Sequence, residues 1–312
     1  MSTLPPMIEL PQPHLEKLRA LLTNEKLPNR DQGNVNRAIE RYHAWLDRLK
    51  KTSAPENEIV VAMVSMLEEY KRSVEVDLIF DSEDDFLYRQ KGQLKLDNSI
   101  IEEFLPHLVA RALEDRLPKD LEIGSRNCFS AVYFMSDIAA PIKGAGLQVR
   151  TKDQDFALSR RVFIKTSHSP KFSGDETLEA ETHVAYVTAE IKTNLDKTMF
   201  QEAAATAHDV KMGVTGARYY LLCEWLDMTP INTTTTDIDE VLILRKAKRL
   251  SSNVRSAFST AQGRKAAKEA YLRYLEAHPL SPDVFQRFLE HIRALLENRE
   301  PKEGDVLNKG FF

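Results

Sequence analysis

The sequence predicts an α/β (α+β) fold in which a mixed sheet lies between two helical segments. Before residue 118 and after residue 253, apolar residues recur every three or four positions, as on one face of a helix. Between these segments, short apolar runs bounded by turn residues are typical of strands. One clear helix separates two of these runs, and the order strand, helix, strand favours a crossover that joins two parallel strands.

Residues 1–118 are predicted to form a mostly helical N-terminal region. Two amphipathic stretches, "RDQGNVNRAIERYHAWLDRLKK" and "PENEIVVAMVSMLEEYKRS", are followed by a third, "IIEEFLPHLVARALE", which Asn98 or Ser99 can cap. On the helical wheel of this third helix, Glu102 lies beside the apolar face and Glu103 points away from it. The stretch before it, "DFLYRQKGQLKLD", predicts a short hairpin around Gly92.

Residues 119–252 are predicted to form the sheet. The strand-like runs are "NCFSAVYFM", "LQVRT", "DFALSRRVFIKTS", "AYVTAEIKT", "ARYYLLCEWLDM" and "EVLILRKAK". The fifth run is almost continuously apolar, as expected of a central strand covered on both faces. The helix before it, "DKTMFQEAAATAHDVKMG", has Asp196 as its N-cap. Residues 253–312 predict a helical C-terminal segment with a polar tail.

Composition narrows the class of protein. The chain has 312 residues, of which 42% are hydrophobic, so it can bury a core. It has no apolar run near the ~18 residues of a membrane span and no visible signal peptide, so no membrane partner is expected. Two cysteines are too few for a disulfide framework, which favours a cytoplasmic location. The net charge of −4 means that nucleic-acid binding would require a local basic surface.

The stretch "VAYVTAEIKTNLDK", residues 184–197, reads as a mostly apolar strand with two charged residues near its end. Side chains alternate along a strand, so the apolar residues share one face: Ala185, Val187, Ala189 and Ile191. Glu190 and Lys192 then project together from the other face. Asp155 opens an earlier strand, and it meets Glu190 only if the two strands pair in a suitable register, which the pattern leaves open.

An aspartate, a glutamate and a lysine in this arrangement suit phosphodiester cleavage. Two carboxylates and the backbone carbonyl between Glu190 and Lys192 offer hard oxygen ligands to Mg²⁺. The lysine can orient a water molecule or stabilise developing charge. The competing interpretation is a solvated strand end, where such an ion pair contributes about 0–1 kcal/mol. In that case the chain would be a non-catalytic helical DNA-binding or assembly protein.

This part of the chain resembles the PD-(D/E)XK nuclease superfamily. The resemblance lies in the order of its elements: a strand that begins with an aspartate, a strand that ends in Glu-Ile-Lys, a capped helix and a buried strand. The flanking text, "EIKTNLDKTMFQEAAATAHDVK" and "RYYLLCEWLDMTP", is similar to the Bpu-ten-I group of type II restriction endonucleases, over about residues 125–250. The resemblance implies a PD-(D/E)XK core with flanking helices and Mg²⁺-dependent, sequence-specific cleavage of double-stranded DNA at a CCTNAGC-type site. A DNA repair nuclease or junction resolvase is the alternative within the enzyme class.

The resemblance also implies roles for individual residues. The catalytic residues would be Asp155, Glu190 and Lys192, and the metal ligands Asp155, Glu190 and the carbonyl of Ile191. No proline precedes Asp155, which departs from the superfamily pattern and leaves Asp153 and Asp175 as rival ligands. Glu102 is a candidate for the additional carboxylate that many members of the superfamily supply from an upstream helix.

DNA contacts and assembly complete the sequence-based expectations. Four residues have side chains suited to bases or phosphates: Arg126, Asn127, Arg160 and Gln201. Basic runs at residues 160–161, 245–249 and 264–268 predict a phosphate-binding surface. One cluster of Asp, Glu and Lys cuts one strand, so a double-strand break requires a homodimer or a heterodimer with a second nuclease subunit.

Overall fold

A computed structural model of the chain describes residues 10–135, 137–297 and 303–310, in which helices precede and follow a group of strands. The helices are α1 (Pro13–Leu22), α2 (Asn29–Lys51), α3 (Glu56–Arg72, extended by a π-helical segment, Ser73–Phe80), α4 (Phe86–Gln90), α5 (Asn98–Ala112), α6 (Lys197–Gly213), α7 (Ser252–Ala257), α8 (Ala261–Ala277), α9 (Pro282–Glu297) and α10 (Glu303–Lys309). The strands are β1 (Glu122–Phe134), β2 (Leu147–Thr166), β3 (Leu178–Leu195), β4 (Arg218–Leu226) and β5 (Glu240–Lys248).

The five strands form one mixed sheet in the order β1-β2-β3-β4-β5. The β1–β2 and β2–β3 pairs are antiparallel, whereas the β3–β4 and β4–β5 pairs are parallel. Helix α6 joins β3 to β4, which confirms the predicted crossover, and the Asp196 side chain caps this helix by accepting from the Met199 N–H at 2.9 Å. Strand β4 is buried from Tyr219 to Trp225, as its apolar sequence predicts.

The sheet has a different hydrophobic core on each face. The largest core joins helices α1–α5 and α9 to the face that carries Phe156, Ile191 and Leu222. Helix α6 covers the opposite face, over Tyr219 and Leu221. The N-terminal helices and the sheet therefore share one core, which fixes the position of α5 against β2 and β3. Among the described residues, no helix has the length and apolar composition needed to cross a membrane.

Two of the sequence predictions about strands are wrong. The runs "LQVRT" and "DFALSRRVFIKTS" form the single strand β2, because its first half pairs with β1 and its second half with β3. Ala185 does not share a face with Val187, because a bulge in β3 leaves Tyr186 between two paired residues. Ala185 packs instead against Cys128 and Ala157 on the opposite face.

One prediction about the N-terminal region is also wrong, and one buried residue was not anticipated. The segment of residues 85–97 forms α4 and a series of turns, not a hairpin, since Leu87 and Leu96 are both buried in the helical core. Glu103, which the helical wheel places away from the apolar face, is nevertheless not exposed to solvent. It is fully buried and accepts hydrogen bonds from the backbone N–H of His14 and the hydroxyl of Tyr42. Helices α1 and α2, which carry these two residues, cover the side of α5 opposite its apolar face.

Two arginines of the predicted basic runs are structural. Arg245 is only 2% exposed and forms ion pairs with Glu224 and Glu68 at 3.1 Å. Arg264 is 1% exposed and donates to backbone carbonyls, including those of Phe80 and Ser82. Burial of these side chains removes them from any phosphate-binding surface, since a buried guanidinium needs all its donors paired within the protein.

Candidate active site

Strands β2 and β3 separate at the site, and this separation brings Asp155 to Glu190. The last paired residues are Phe156 and Ala189; beyond them β2 pairs only with β1, and β3 only with β4. Asp155 and Glu190 are the first residues past this pair on their strands. The Asp155 Oδ2 accepts the Ile191 N–H at 2.8 Å, so that a side chain takes the place of the missing strand partner. The register that the sequence left open therefore places the two carboxylates side by side.

Glu190 is held from two sides. Its Oε1 lies 2.6 Å from the Lys192 Nζ, and its Oε2 accepts the Tyr219 hydroxyl at 2.6 Å. Tyr219 is fully buried, and burial together with the Glu190 charge raises its pKa far above the usual value, so it remains a donor. Burial alone would lower the pKa of Lys192, but the hydrogen bond to Glu190 raises it on balance. Lys192 is therefore an ammonium group directed at the glutamate.

Helix α5 adds a third carboxylate. The Asn98 Nδ2 donates to the Glu102 Oε1 at 2.9 Å and to the Ile191 carbonyl at 3.0 Å, which ties α5 to β3. Burial, and to a smaller extent the nearby Asp155 charge, raises the pKa of Glu102 to about 7. Burial also raises the pKa of Asp155. The structure places Glu102 near Asp155, and its role as the additional carboxylate remains a prediction.

The donors fit a hard divalent cation in kind and in charge. Three carboxylates, those of Glu102, Asp155 and Glu190, lie beside two ammonium groups, which leaves an excess of negative charge in a largely buried place. The Asn98 Oδ1 is buried there without a hydrogen-bond partner. In the part of the chain that the structure describes, no three acidic, histidine or cysteine side chains are already arranged around one ion position. Carboxylate and carbonyl oxygens are the ligands that Mg²⁺ prefers.

A cavity of about 470 Å³ opens onto these groups. Asp155, Glu190 and Lys192 line one part of it, and aromatic and basic side chains line the rest: Tyr88, Lys91, Trp225, Arg249, Arg255 and Tyr274. Sequence reasoning missed Lys95, Asn98 as a site residue, and Tyr219. Each comes from an element distant in the chain, and no local pattern indicates that it faces the strand end.

The rival aspartates occupy different places. Asp175 lies in the turn between β2 and β3, about ten strand residues from Asp155, which corresponds to roughly 30 Å. Asp153 is exposed and lines the cavity, but β2 contains an extra residue between Gln154 and Ala157, so simple alternation no longer relates it to Asp155. Of the three, Asp155 is the one in contact with the Glu190–Lys192 segment.

The four candidate DNA contacts are dispersed over the sheet and α6. Arg126 pairs with Glu122 at 2.9 Å, and Arg160 pairs with Asp120 at 2.7 Å. Asn127 and Gln201 are exposed. Asn127 lies opposite Asp153 in the β1–β2 ladder, beside the cavity. Their roles in DNA binding remain predictions.

Tyr219→Phe is expected to slow cleavage about tenfold, because Glu190 loses a hydrogen bond that fixes its orientation while the fold is kept. Single-turnover cleavage of DNA at saturating metal measures the effect. Tyr220→Phe is the matched control, since the neighbouring tyrosine points into the opposite core and stacks on His291. Equal rates for the two variants would show that the Tyr219 hydroxyl does not act on the site.

Comparisons with known proteins found one matching family and a similar solved structure. The family model of the Bpu10I restriction endonuclease matches residues 93–312, which include Glu102, Asp155, Glu190 and Lys192. A solved structure described as the native BbvCI A2B2 tetramer is similar in fold, with a TM-score of 0.52 and 22% sequence identity, covering 83% of this chain and 94% of that chain. No curated protein matches the sequence. Because the family model spans well over half of the chain, the chain belongs to the Bpu10I restriction endonuclease family and is a type II site-specific deoxyribonuclease.

Proposed function

We propose that the enzyme hydrolyses phosphodiester bonds of double-stranded DNA in a Mg²⁺-dependent reaction at the Asp155–Glu190–Lys192 cluster. The observation that carries this proposal is the β2–β3 register, which places Asp155 against the Glu190–Ile191–Lys192 strand end. Asp155, Glu190 and the Ile191 carbonyl would hold the metal. When bound, Mg²⁺ would offset charge on the scissile phosphate and lower the pKa of a bound water. Two buried free thiols are in keeping with a cytoplasmic enzyme.

The protein side chains have separate tasks in this proposal. Lys192, held 2.6 Å from Glu190, orients the attacking water and stabilises charge that develops on the phosphate. Tyr219 fixes Glu190, and Asn98 fixes both Glu102 and the Ile191 carbonyl. Glu102 is the additional carboxylate, close enough to Asp155 to share its electrostatic environment. Alignment of these groups before DNA binds reduces the reorganisation that the reaction requires.

We further propose recognition of a CCTNAGC-type sequence. The similarity of residues 125–250 to the Bpu-ten-I group supports it. Asn127 is exposed beside the cavity and can bond to a base edge, whereas Arg126 and Arg160 would first have to leave Glu122 and Asp120. Gln201, exposed near the start of α6, is suited to a phosphate contact.

The proposed assembly pairs this chain with a second nuclease subunit. One cluster of this kind cuts one DNA strand, so a double-strand break requires two clusters. The similar solved structure is described as an A2B2 tetramer, which contains two kinds of chain. This description supports a heterodimeric unit over a homodimer for a nearly palindromic, and therefore asymmetric, site.

Strand-specific nicking tests the function and the assembly together. Supercoiled plasmid with one CCTNAGC-type site, incubated with the purified chain and Mg²⁺, is expected to yield open circles that become linear only when the partner subunit is added. The controls are a plasmid without the site and the same reaction in EDTA. Linear product from this chain alone would favour the homodimer. No cleavage with any divalent metal, with or without partner, would contradict the proposed reaction.

A further inference from the structure

Lys95 lies within ion-pair distance of two carboxylates of the site, although it lies in none of the predicted motifs. Its Nζ is 3.9 Å from the Asp155 Oδ1 and 3.9 Å from the Glu102 Oε1. The other Asp155 oxygen accepts the Ile191 N–H, so Lys95 faces the free oxygen. The Lys95 side chain is 52% exposed, and it lines the same cavity as Glu190 and Lys192. The site thus contains a second lysine, on the α5 side of Asp155.

The backbone at Lys95 is held in an uncommon conformation. Its φ of 49° lies in the left-handed region, which side chains other than glycine rarely adopt and which persists only where the surroundings fix it. The Lys95 N–H donates to the Gly92 carbonyl at 3.2 Å. Its carbonyl accepts both the N–H and the hydroxyl of Ser99, at 3.2 and 2.7 Å. These bonds fix the direction in which the lysine leaves the turn.

A chain of hydrogen bonds extends from this turn into the N-terminal helices. Since the Ser99 hydroxyl donates to Lys95, its oxygen accepts from the His14 Nδ1–H at 2.9 Å, and the His14 Nε2 accepts the Tyr70 hydroxyl at 2.8 Å. Burial lowers the pKa of His14 to about 3, in agreement with a neutral ring. His14 and Tyr70 both precede the residues that the family model matches, so support for the turn comes from outside that range.

We propose that Lys95 is a positioning residue of the cleavage reaction, whose ammonium group holds Glu102 and Asp155 side by side, and that the N-terminal helices hold Lys95 in place through Ser99 and His14. This inference rests on the proposed function, since it assumes that these carboxylates bind the metal. Two consequences follow. Loss of the ammonium disturbs the alignment of the carboxylates and slows cleavage. It also removes a positive charge next to the metal ligands, so divalent cations bind more tightly.

The first experiment compares three variants at the same turn. Lys95→Met is expected to lower the single-turnover rate about tenfold, and to tighten Mn²⁺ binding by the DNA-free chain roughly threefold, as followed by electron paramagnetic resonance. Lys95→Arg, which keeps the charge, is expected to restore both quantities to within about threefold of the original protein. Lys91→Met is the matched control, because Lys91 lines the same cavity but pairs with Asp97 at 3.8 Å.

Two results would overturn the assignment of Lys95. If Lys95→Met cleaves and binds Mn²⁺ as the original protein does, the ammonium has no positioning role. If Lys91→Met produces the same two changes, the effect is general electrostatics of the cavity. Asp155→Asn separates this inference from the proposed function. Retained Mn²⁺ binding in Asp155→Asn would refute the metal site itself, whereas lost binding there together with an unaffected Lys95→Met refutes only the role of Lys95.

The second experiment tests the connection to the N-terminal helices. Ser99→Ala removes the hydroxyl that links His14 to the Lys95 carbonyl, and it is expected to lower the rate about three- to tenfold, with no further loss when combined with Lys95→Met. Tyr70→Phe, which removes only the outer hydroxyl, provides a milder second variant if Ser99→Ala does not fold. If the loss of cleavage rate in the variant that combines Ser99→Ala with Lys95→Met equals the product of the two single losses, Ser99 acts independently of Lys95.

Discussion

Glu190→Gln and Lys192→Ala are each expected to reduce DNA cleavage by at least ~10³-fold, the scale of losing a group that stabilises a transition state. Glu190 would lose a metal-binding oxygen, and Lys192 is the ammonium held against it at 2.6 Å. Both side chains are partly exposed at a strand end, so their replacement leaves the cores on both sheet faces intact. Cleavage of cognate plasmid at equal protein concentration measures the loss.

Glu181→Gln is the matched control for Glu190, since it changes the same residue type on the same strand. Its carboxylate pairs with Arg161 at 3.4 Å and is 47% exposed, well before the strand end. This variant is expected to cleave at close to the original rate. DNA affinity, measured with Ca²⁺ in place of Mg²⁺, is expected to change little in all three variants. More than a tenth of the original rate in either Glu190→Gln or Lys192→Ala would rule out the assignment.

Asp155→Asn is expected to abolish both cleavage, by ~10³-fold or more, and divalent-metal binding. The amide oxygen of asparagine can still accept the Ile191 N–H, so the strand geometry is kept while the charged oxygen is lost. The expectation is specific to this aspartate because its register places it against Glu190. Plasmid cleavage and Mn²⁺ titration by electron paramagnetic resonance provide independent measurements of the two effects.

Asp153→Asn and Asp175→Asn are the comparisons for Asp155, and both are expected to keep metal binding. Asp175 lies in the turn far along the β2–β3 hairpin, and Asp153 lines the cavity from the other side of the extra residue in β2. An inactive Asp153→Asn with an active Asp155→Asn would mean that the metal lies closer to the start of β2 than the carboxylate cluster indicates.

Local sequence patterns predicted most of the helices and strands, but they did not predict all of the tertiary contacts around them. The β3–α6–β4 crossover and the Asp196 cap follow from apolar spacing and residue type, which act over a few neighbouring residues. The hairpin predicted around Gly92 did not form, because burial of Leu96 in a core built from distant helices determines that segment. The burial of Glu103 was not predicted for the same reason, since a helical wheel shows one apolar face and cannot show a second layer of helices.

The sequence by itself determined that Glu190 and Lys192 project together from a strand end ahead of a capped helix, since alternation and capping are local properties. Only the tertiary structure decided that Asp155 stands beside them, because strand register depends on packing and bulges along the whole β2–β3 pair. The same holds for Tyr219 in β4, Asn98 at the start of α5 and Lys95 in the turn before it. Contacts between residues so far apart in the chain arise from burial of a common core, and no short stretch of sequence encodes them.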